Sequence, residues 1–198
     1  MSETSGRNIV LGVAGSIAAY KAASVLRGLL HRGHAVQVVM TQAAQQFVTP
    51  TTFRSLSGRP VVTDLFIEEG QASLQHVELA DWVCGEQGAR HGVLAVVPAT
   101  ADFVGKAANG LADEMLSCTW MACDCPKVVA AAMNNRMWNS PPMQENWEYL
   151  RLQTGVHCID PVMGVLADGR KAVGHLAPVE DIVNMIHSLA SGSRVSDE

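Results

Sequence analysis

Short continuous apolar runs alternate along the chain with longer stretches whose apolar residues recur at helical spacing. Runs at 8–13, 35–40, 61–66, 92–97, 127–132 and 156–159 predict strands. Helices are predicted over 16–31, 43–56, 74–82, 102–108, 113–123, 142–154 and 179–189. In the first of them, apolar residues stand at 17, 22, 25, 26, 29 and 30, and Gly33 follows its end. The second carries Pro50, where it is expected to break. The strands lack the apolar–polar alternation of a half-buried sheet, so both of their faces are buried. Strands separated by helices then imply a three-layer α/β fold, a parallel sheet flanked by helices. Residues 7–190 are read as a single domain. The polar, Ser/Gly-rich ends 1–6 and 191–198 are read as loose termini.

Composition narrows the function. The chain has 198 residues, 48% apolar, only 17% charged, with net charge −5. So low a charge fraction on one domain points to surface hidden in a homo-oligomer. Basic residues are few and scattered, which argues against nucleic acid. No run of 18 apolar residues exists, so no membrane span is expected. Five cysteines form no paired framework and follow no signal-peptide pattern, so the expected compartment is cytoplasmic. Cys118, Cys123 and Cys125 are candidate metal ligands by residue type, but their spacing matches no zinc pattern. They read as buried or incidental thiols, and no metal is expected.

Ligands of open α/β sheets sit beyond the carboxyl ends of the strands. Three such ends carry small polar residues. At the first, Gly15 permits a tight turn and Ser16 opens a helix whose free N–H groups attract an anion. At the second, Thr41 stands where a dinucleotide site would place an acid, which favours a mononucleotide. At the third, Pro98, Ala99, Thr100, Ala101 and Asp102 leave room for a flat ring system, with plain helix capping by Thr100 or Asp102 as the alternative reading. A fourth apolar run ends in Met133-Asn134-Asn135-Arg136-Met137-Trp138, an amide and large soft side chains at the mouth of the sheet.

In their joint order these segments resemble the homo-oligomeric flavin-containing cysteine decarboxylases. The resemblance runs over residues 7–190 and includes Gly12 to Lys21, His76 to Trp82, Pro98 to Asn109, Met133 to Trp138 and Gln144-Glu145-Asn146. It implies a Rossmann-like or flavodoxin-like flavoprotein. FMN would bind at Gly15, Ser16, Thr41, the 98–102 loop and Met133, between subunits of a homotrimer, with dodecamers as a further assembly. His76 matches the family's active-site histidine; without that context it would read as an ordinary core or surface histidine. Asn134 matches the asparagine that holds the substrate carboxylate. Met137 and Trp138 would line the same pocket, and for Trp138 core packing is the plainer alternative. The resemblance further implies that two electrons pass to FMN, a thioaldehyde forms, and CO₂ leaves to give an ene-thiol. An imidazole can take and give a proton near neutral pH, which suits His76 to relay it.

One departure decides the expected substrate. In the coenzyme A branch of the family, a flap cysteine turns the ene-thiol into a saturated thiol. Here the matching run, Val165 to Leu176, has Asp168 in the cysteine's place and His175 in place of an arginine. Leu166 and Asp168 are therefore expected to contact substrate, with the reaction stopping at the ene-thiol. Cys158, ten residues upstream of Asp168, is the alternative thiol. Two smaller departures are Ala131, where the family has proline, and a Gly-rich insertion at 83–91. The leading expectation is decarboxylation of the C-terminal cysteine of a ribosomally made precursor peptide, with other biosynthetic enzymes as further partners. Its alternatives are phosphopantothenoylcysteine decarboxylase and a non-catalytic phosphatase-binding relative. A flavin prenyltransferase fits less well, because the Met-Asn-x-x-Met-Trp element is foreign to that branch.

Overall fold

Residues that alternate between two equally apolar surfaces build the central sheet. In β1 (Asn8–Val13), Ile9, Leu11 and Val13 enter one buried cluster while Val10 enters another. β3 (Val93–Ala99) repeats this, with Val93, Ala95 and Val97 on the first side and Leu94 and Val96 on the second. β2 (Ala35–Met40), β4 (Lys127–Ala131) and β5 (Val156–Ile159) complete a five-stranded parallel sheet in the order β2–β1–β3–β4–β5. The computed structural model describes residues 6–65, 74–85, 92–167 and 169–192.

Helices cover both faces, as the unbroken apolar runs require. On the first lie α1 (Ala19–His31), α2 (Pro50–Ser57) and α8 (Val179–Ala190), which bury Leu26, Leu29, Phe53, Ile182 and Ile186. On the second lie α3 (Gln75–Cys84), α4 (Ala101–Asn109), α5 (Met115–Ala122) and α7 (Pro141–Arg151), which bury Val83, Phe103, Leu116 and Trp147. The short α6 (Asn135–Trp138) follows β4. An antiparallel hairpin of β6 (Val162–Val165) and β7 (Lys171–His175) stands apart from the sheet. The expected three-layer α/β fold is the observed one. Among the described residues no helix is long and apolar enough to cross a membrane.

Local departures have local causes. The expected strand at 61–66 shrinks to a single bridge between Val39 and Val62, held by two backbone hydrogen bonds. Beyond it the Asp64 carboxylate accepts from Thr63 and from Gln42, which anchors that segment by side chains. Phe66 lies outside the described residues. The expected helix at 43–56 divides into a 3₁₀ turn (Ala44–Gln46) and α2, because Thr49, preceding Pro50, is forced into extended backbone. The first helix starts at Ala19 rather than residue 16, with the Ala18 N–H donating to Ser16 Oγ at 3.1 Å. The hairpin was not foreseen as strands. β6 is only Val-Met-Gly-Val and is mostly exposed, so its pairing with β7 rather than burial in the sheet makes it a strand.

Between Val96 and Ala99 the pairing of β3 with β4 shifts register. The face alternation flips there: Val97 packs on the first side and Ala99 on the second. That shift immediately precedes Thr100, at the carboxyl edge of the sheet.

Candidate active site

The strand order reverses between β1 and β3, and the loops that leave their carboxyl ends part around a cavity of about 800 Å³. Its walls come from four strand ends: Ala14, Gly15 and Ser16 after β1; Thr41 and Ala43 after β2; Thr100, Ala101 and Asp102 after β3; Met133 and Asn134 after β4. The β6–β7 hairpin closes a further side with Val165, Leu166, Gly174 and His175. Many of these residues are small, so backbone rather than side chain borders much of the space.

Backbone bonds brace the loops against one another. Ala14 N–H donates to the Pro98 carbonyl at 3.2 Å, and Ala132 N–H to the Ala99 carbonyl at 3.0 Å. Pro98 and Ala99 therefore act as braces behind the cavity and do not line it, unlike Thr100 to Asp102. Gly15 is demanded by space: a Cβ there would lie 2.4 Å from Ala43 Cβ. Among the described residues, no acceptor meets the N–H groups of Gly15, Ser16 and Ile17. They remain available to an anion at the start of α1.

Two of the hydroxyls serve as caps. Thr41 Oγ1 accepts from Ala44 N–H at 3.1 Å, and Thr100 Oγ1 accepts from Phe103 N–H at 3.3 Å while capping α4. Both residues border the cavity as well. Asn134 likewise caps α6, its Oδ1 accepting from Arg136 N–H at 2.9 Å. Met133 N–H donates to the Gly174 carbonyl at 3.0 Å, which ties the asparagine turn to the hairpin.

Charged residues that strand-end reasoning did not single out complete the wall. The Lys21 ammonium lies 3.0 Å from His175 Nε2, and His175 Nδ1 lies 2.9 Å from the Leu176 carbonyl. A carbonyl can only accept, so Nδ1 carries the ring proton and Nε2 accepts from Lys21. Burial holds the Lys21 ammonium below its ordinary range. Deeper along α4, Lys106 reaches Asp102 and Asp113 at 3.2 Å each and Glu114 at 3.6 Å. Burial pushes the Glu114 carboxyl above its usual range and Lys106 pulls it back only in part. One Glu114 oxygen is buried without a hydrogen-bond partner. The i, i+4 spacing of Asp102 and Lys106 was a legible signal for this network. Convergence with Glu114 was not.

Two expected residues lie elsewhere. Trp138 packs edge-on against Trp147, centroids 5.4 Å apart, and is 9% exposed. It is core, while its neighbour Met137 borders the cavity. His76 sits in the first turn of α3, outside the cavity, and its Nδ1 is buried with no hydrogen-bond partner among the described residues. Leu166 does line the cavity; Asp168 lies outside the described residues, as do 86–91 of the insertion. None of the cysteines borders the cavity. Cys158 is on β5, with its thiol pushed up to about 11 chiefly by burial.

A family model described as Flavoprotein matches residues 1–191. The chain is 40% identical over 179 residues to the coenzyme A biosynthesis bifunctional protein CoaBC of Bacillus subtilis, covering 90% of this chain and 42% of that protein. It thus spans under half the length of that curated relative. Among solved structures, the FMN-dependent cysteine decarboxylase SpaF superposes with a TM-score of 0.77 at 30% identity, over 94% of this chain and 99% of that one. A PPC decarboxylase mutant, one cysteine changed to serine and complexed with pantothenoylaminoethenethiol, superposes with a TM-score of 0.76 at 26% identity, over 92% and 97% of the two chains.

Proposed function

The chain belongs to the Flavoprotein family, and from that premise we propose that it is an FMN-dependent decarboxylase acting on the carboxylate of a cysteine. The observation that carries the proposal is an asparagine turn at the mouth of a cavity built from small residues, at the point where the strand order reverses.

FMN is the cofactor, and the cavity suits it. The open N–H groups at 15–17 fit its phosphate, and Ala14, Ala43, Ala101 and Ala132 leave a flat space for its ring. When bound, FMN supplies the two-electron acceptor that spares decarboxylation an unstabilised carbanion. The remaining work falls to the chain's own residues. The amide nitrogen of Asn134 donates to the substrate carboxylate, and being neutral it does not hold that charge more tightly in the ground state than at the transition state. Lys21 and His175 fix the hairpin wall, and Met137 supplies apolar contact.

His76 is the proton carrier for the thiol, delivered into the cavity by a neighbouring copy. Its unpartnered Nδ1 supports this, as do the apolar residues that flank both places: Leu74 and Val77 beside His76, Ile17 and Tyr20 at the cavity. A homotrimer would cover both surfaces, and trimers can combine into dodecamers.

For the substrate, identity to CoaBC proteins supports phosphopantothenoylcysteine over the precursor peptide expected from sequence. One observation favours the peptide as a second reading: neither the hairpin nor the cavity offers a thiol to reduce an ene-thiol. On either substrate the product is therefore an ene-thiol. The PPC decarboxylase mutant lacking one cysteine, crystallised with pantothenoylaminoethenethiol, supports that end point.

The test incubates purified yellow protein in air with phosphopantothenoylcysteine and, separately, with peptides ending in cysteine. A loss of about 46 Da, CO₂ plus two hydrogens, is expected, with the two electrons passing on to oxygen. A loss of about 44 Da would mean a saturated thiol and refute the end point. Turnover of peptides alone would select the second reading. Turnover of neither refutes the assignment. His76→Asn should abolish turnover with flavin retained, whereas a phosphatase-binding role would be indifferent to it.

A further inference from the structure

Three thiols converge at the amino edge of the sheet, the end opposite the flavin cavity. Cys84 ends α3, Cys123 caps the C-terminus of α5, and Cys125 lies two residues before β4. Their sulfurs all lie within 4.8 Å of one another, and no residue of the three exceeds 9% exposure. Sequence spacing grouped Cys118 with Cys123 and Cys125. The fold instead sends the Cys118 sulfur to the Ala112 carbonyl at 3.3 Å and brings Cys84 from a distant helix into its place.

The cluster has the dimensions of a ligand set. Three sulfurs bound at about 2.3 Å to one ion stand about 4 Å apart in a trigonal arrangement and slightly closer in a tetrahedral one. Sulfurs already within 4.8 Å reach either by shifts of under about 1 Å. The surroundings favour negative charge on sulfur. The Lys127 ammonium, 2.5 Å from the Cys123 carbonyl and 5.4 Å from the Trp120 ring centroid, adds a cation to the same corner.

We propose that Cys84, Cys123 and Cys125 form a three-thiolate site for a single soft, thiophilic cation of the Zn(II) or Cu(I) class. Thiolate sulfur selects these ions over hard cations. Binding displaces thiol protons to solvent and moves no electrons, so affinity rises with pH. The site is closed and stands away from the cavity. Its role is to clasp the end of α3, where the 83–91 insertion begins, onto the loop that enters β4.

The test uses the flavin-loaded full chain, purified with reductant, exposed to Zn(II) or Cd(II) and desalted. Elemental analysis should find about one ion per chain, and X-ray absorption on the zinc form a shell of sulfur at about 2.3 Å. Cys118→Ser and Cys158→Ser should retain the ion. Cys84→Ser, Cys123→Ser and Cys125→Ser should each fall below about a tenth of an ion per chain. If those variants fold poorly, the wild type decides: metal should shield three thiols from alkylation, and a chelator should expose them. No retained ion, a nitrogen–oxygen shell, retention by the Cys84, Cys123 or Cys125 variants, or a disulfide within the trio would overturn the proposal.

Discussion

Gly174→Ala probes how the hairpin shapes the cavity. Gly174 has φ +150°, and a Cβ there would lie 2.2 Å from the Met133 carbonyl oxygen. The obstruction is backbone, so a rotamer change cannot relieve it. Holding a side chain at such a φ costs roughly 1–3 kcal/mol. Loss of the Met133 N–H to Gly174 carbonyl bond adds about 1 kcal/mol. A total of about 2–4 kcal/mol, at roughly 2–4 °C per kcal/mol for a domain this size, lowers Tm by about 5–15 °C. The displaced turn carries Asn134, and a misplacement of about 1 Å at the reacting centre can cost about 100-fold in kcat/KM. The control is Gly58→Ala. Gly58 has φ +69° with nothing within 4 Å of a new Cβ, so only the left-handed cost of about 1–2 kcal/mol applies and turnover is untouched. Thermal melts followed by circular dichroism, paired with steady-state kinetics, read both effects. The reasoning fails if Gly174→Ala melts no lower than Gly58→Ala, or turns over like the wild type.

Asn134→Asp keeps the α6 cap but sets a negative charge against the substrate carboxylate; kcat/KM should fall about 100-fold or more with Tm nearly unchanged, and a matching loss of Tm would contradict the assignment. Trp138→Ala should destabilise by about 3–5 kcal/mol in urea melts, whereas Met137→Ala should leave stability within about 1 kcal/mol and raise KM. Burial opposes the Lys106 charge, but bonds to Asp102 and Asp113 and the nearby Glu114 outweigh it and hold the ammonium above its ordinary value. Its pairing therefore stabilises below the unfolded lysine pKa and is lost as pH rises through the folded one. Lys106→Met should cost about 1–2 kcal/mol near pH 7, allowing for the exposure of its aspartate partners. The deficit should shrink as pH rises through the folded lysine value. Deficits in urea melts that stay equal from neutral pH to the far alkaline side of the lysine range would refute the network.

How much was legible differs between residues. Asn134 could be assigned to the cavity because a short loop leaves the end of β4 in a known direction, whereas Leu166 was assigned only by the resemblance of its run to a flap. Thr41 and Thr100 were ambiguous, and the ambiguity is physical: a hydroxyl with two lone pairs can cap a helix and still face a ligand. Trp138 was misdirected because its neighbour Met137 does face the cavity; one turn of α6 sends adjacent side chains to opposite sides. His76 was assigned by resemblance alone, and in the single chain it stands in the first turn of α3, outside the cavity.

The sequence by itself determined the layers, the five strands of the sheet and their carboxyl-end loops, since burial on both faces leaves its mark in every short window of residues. Tertiary structure alone decided what meets across long separations: the hairpin on the asparagine turn, Glu114 beneath Lys106, and Cys84 beside Cys123 and Cys125. Periodicity reports which way a side chain points from its own element. Only the crossing of elements reports what it then touches.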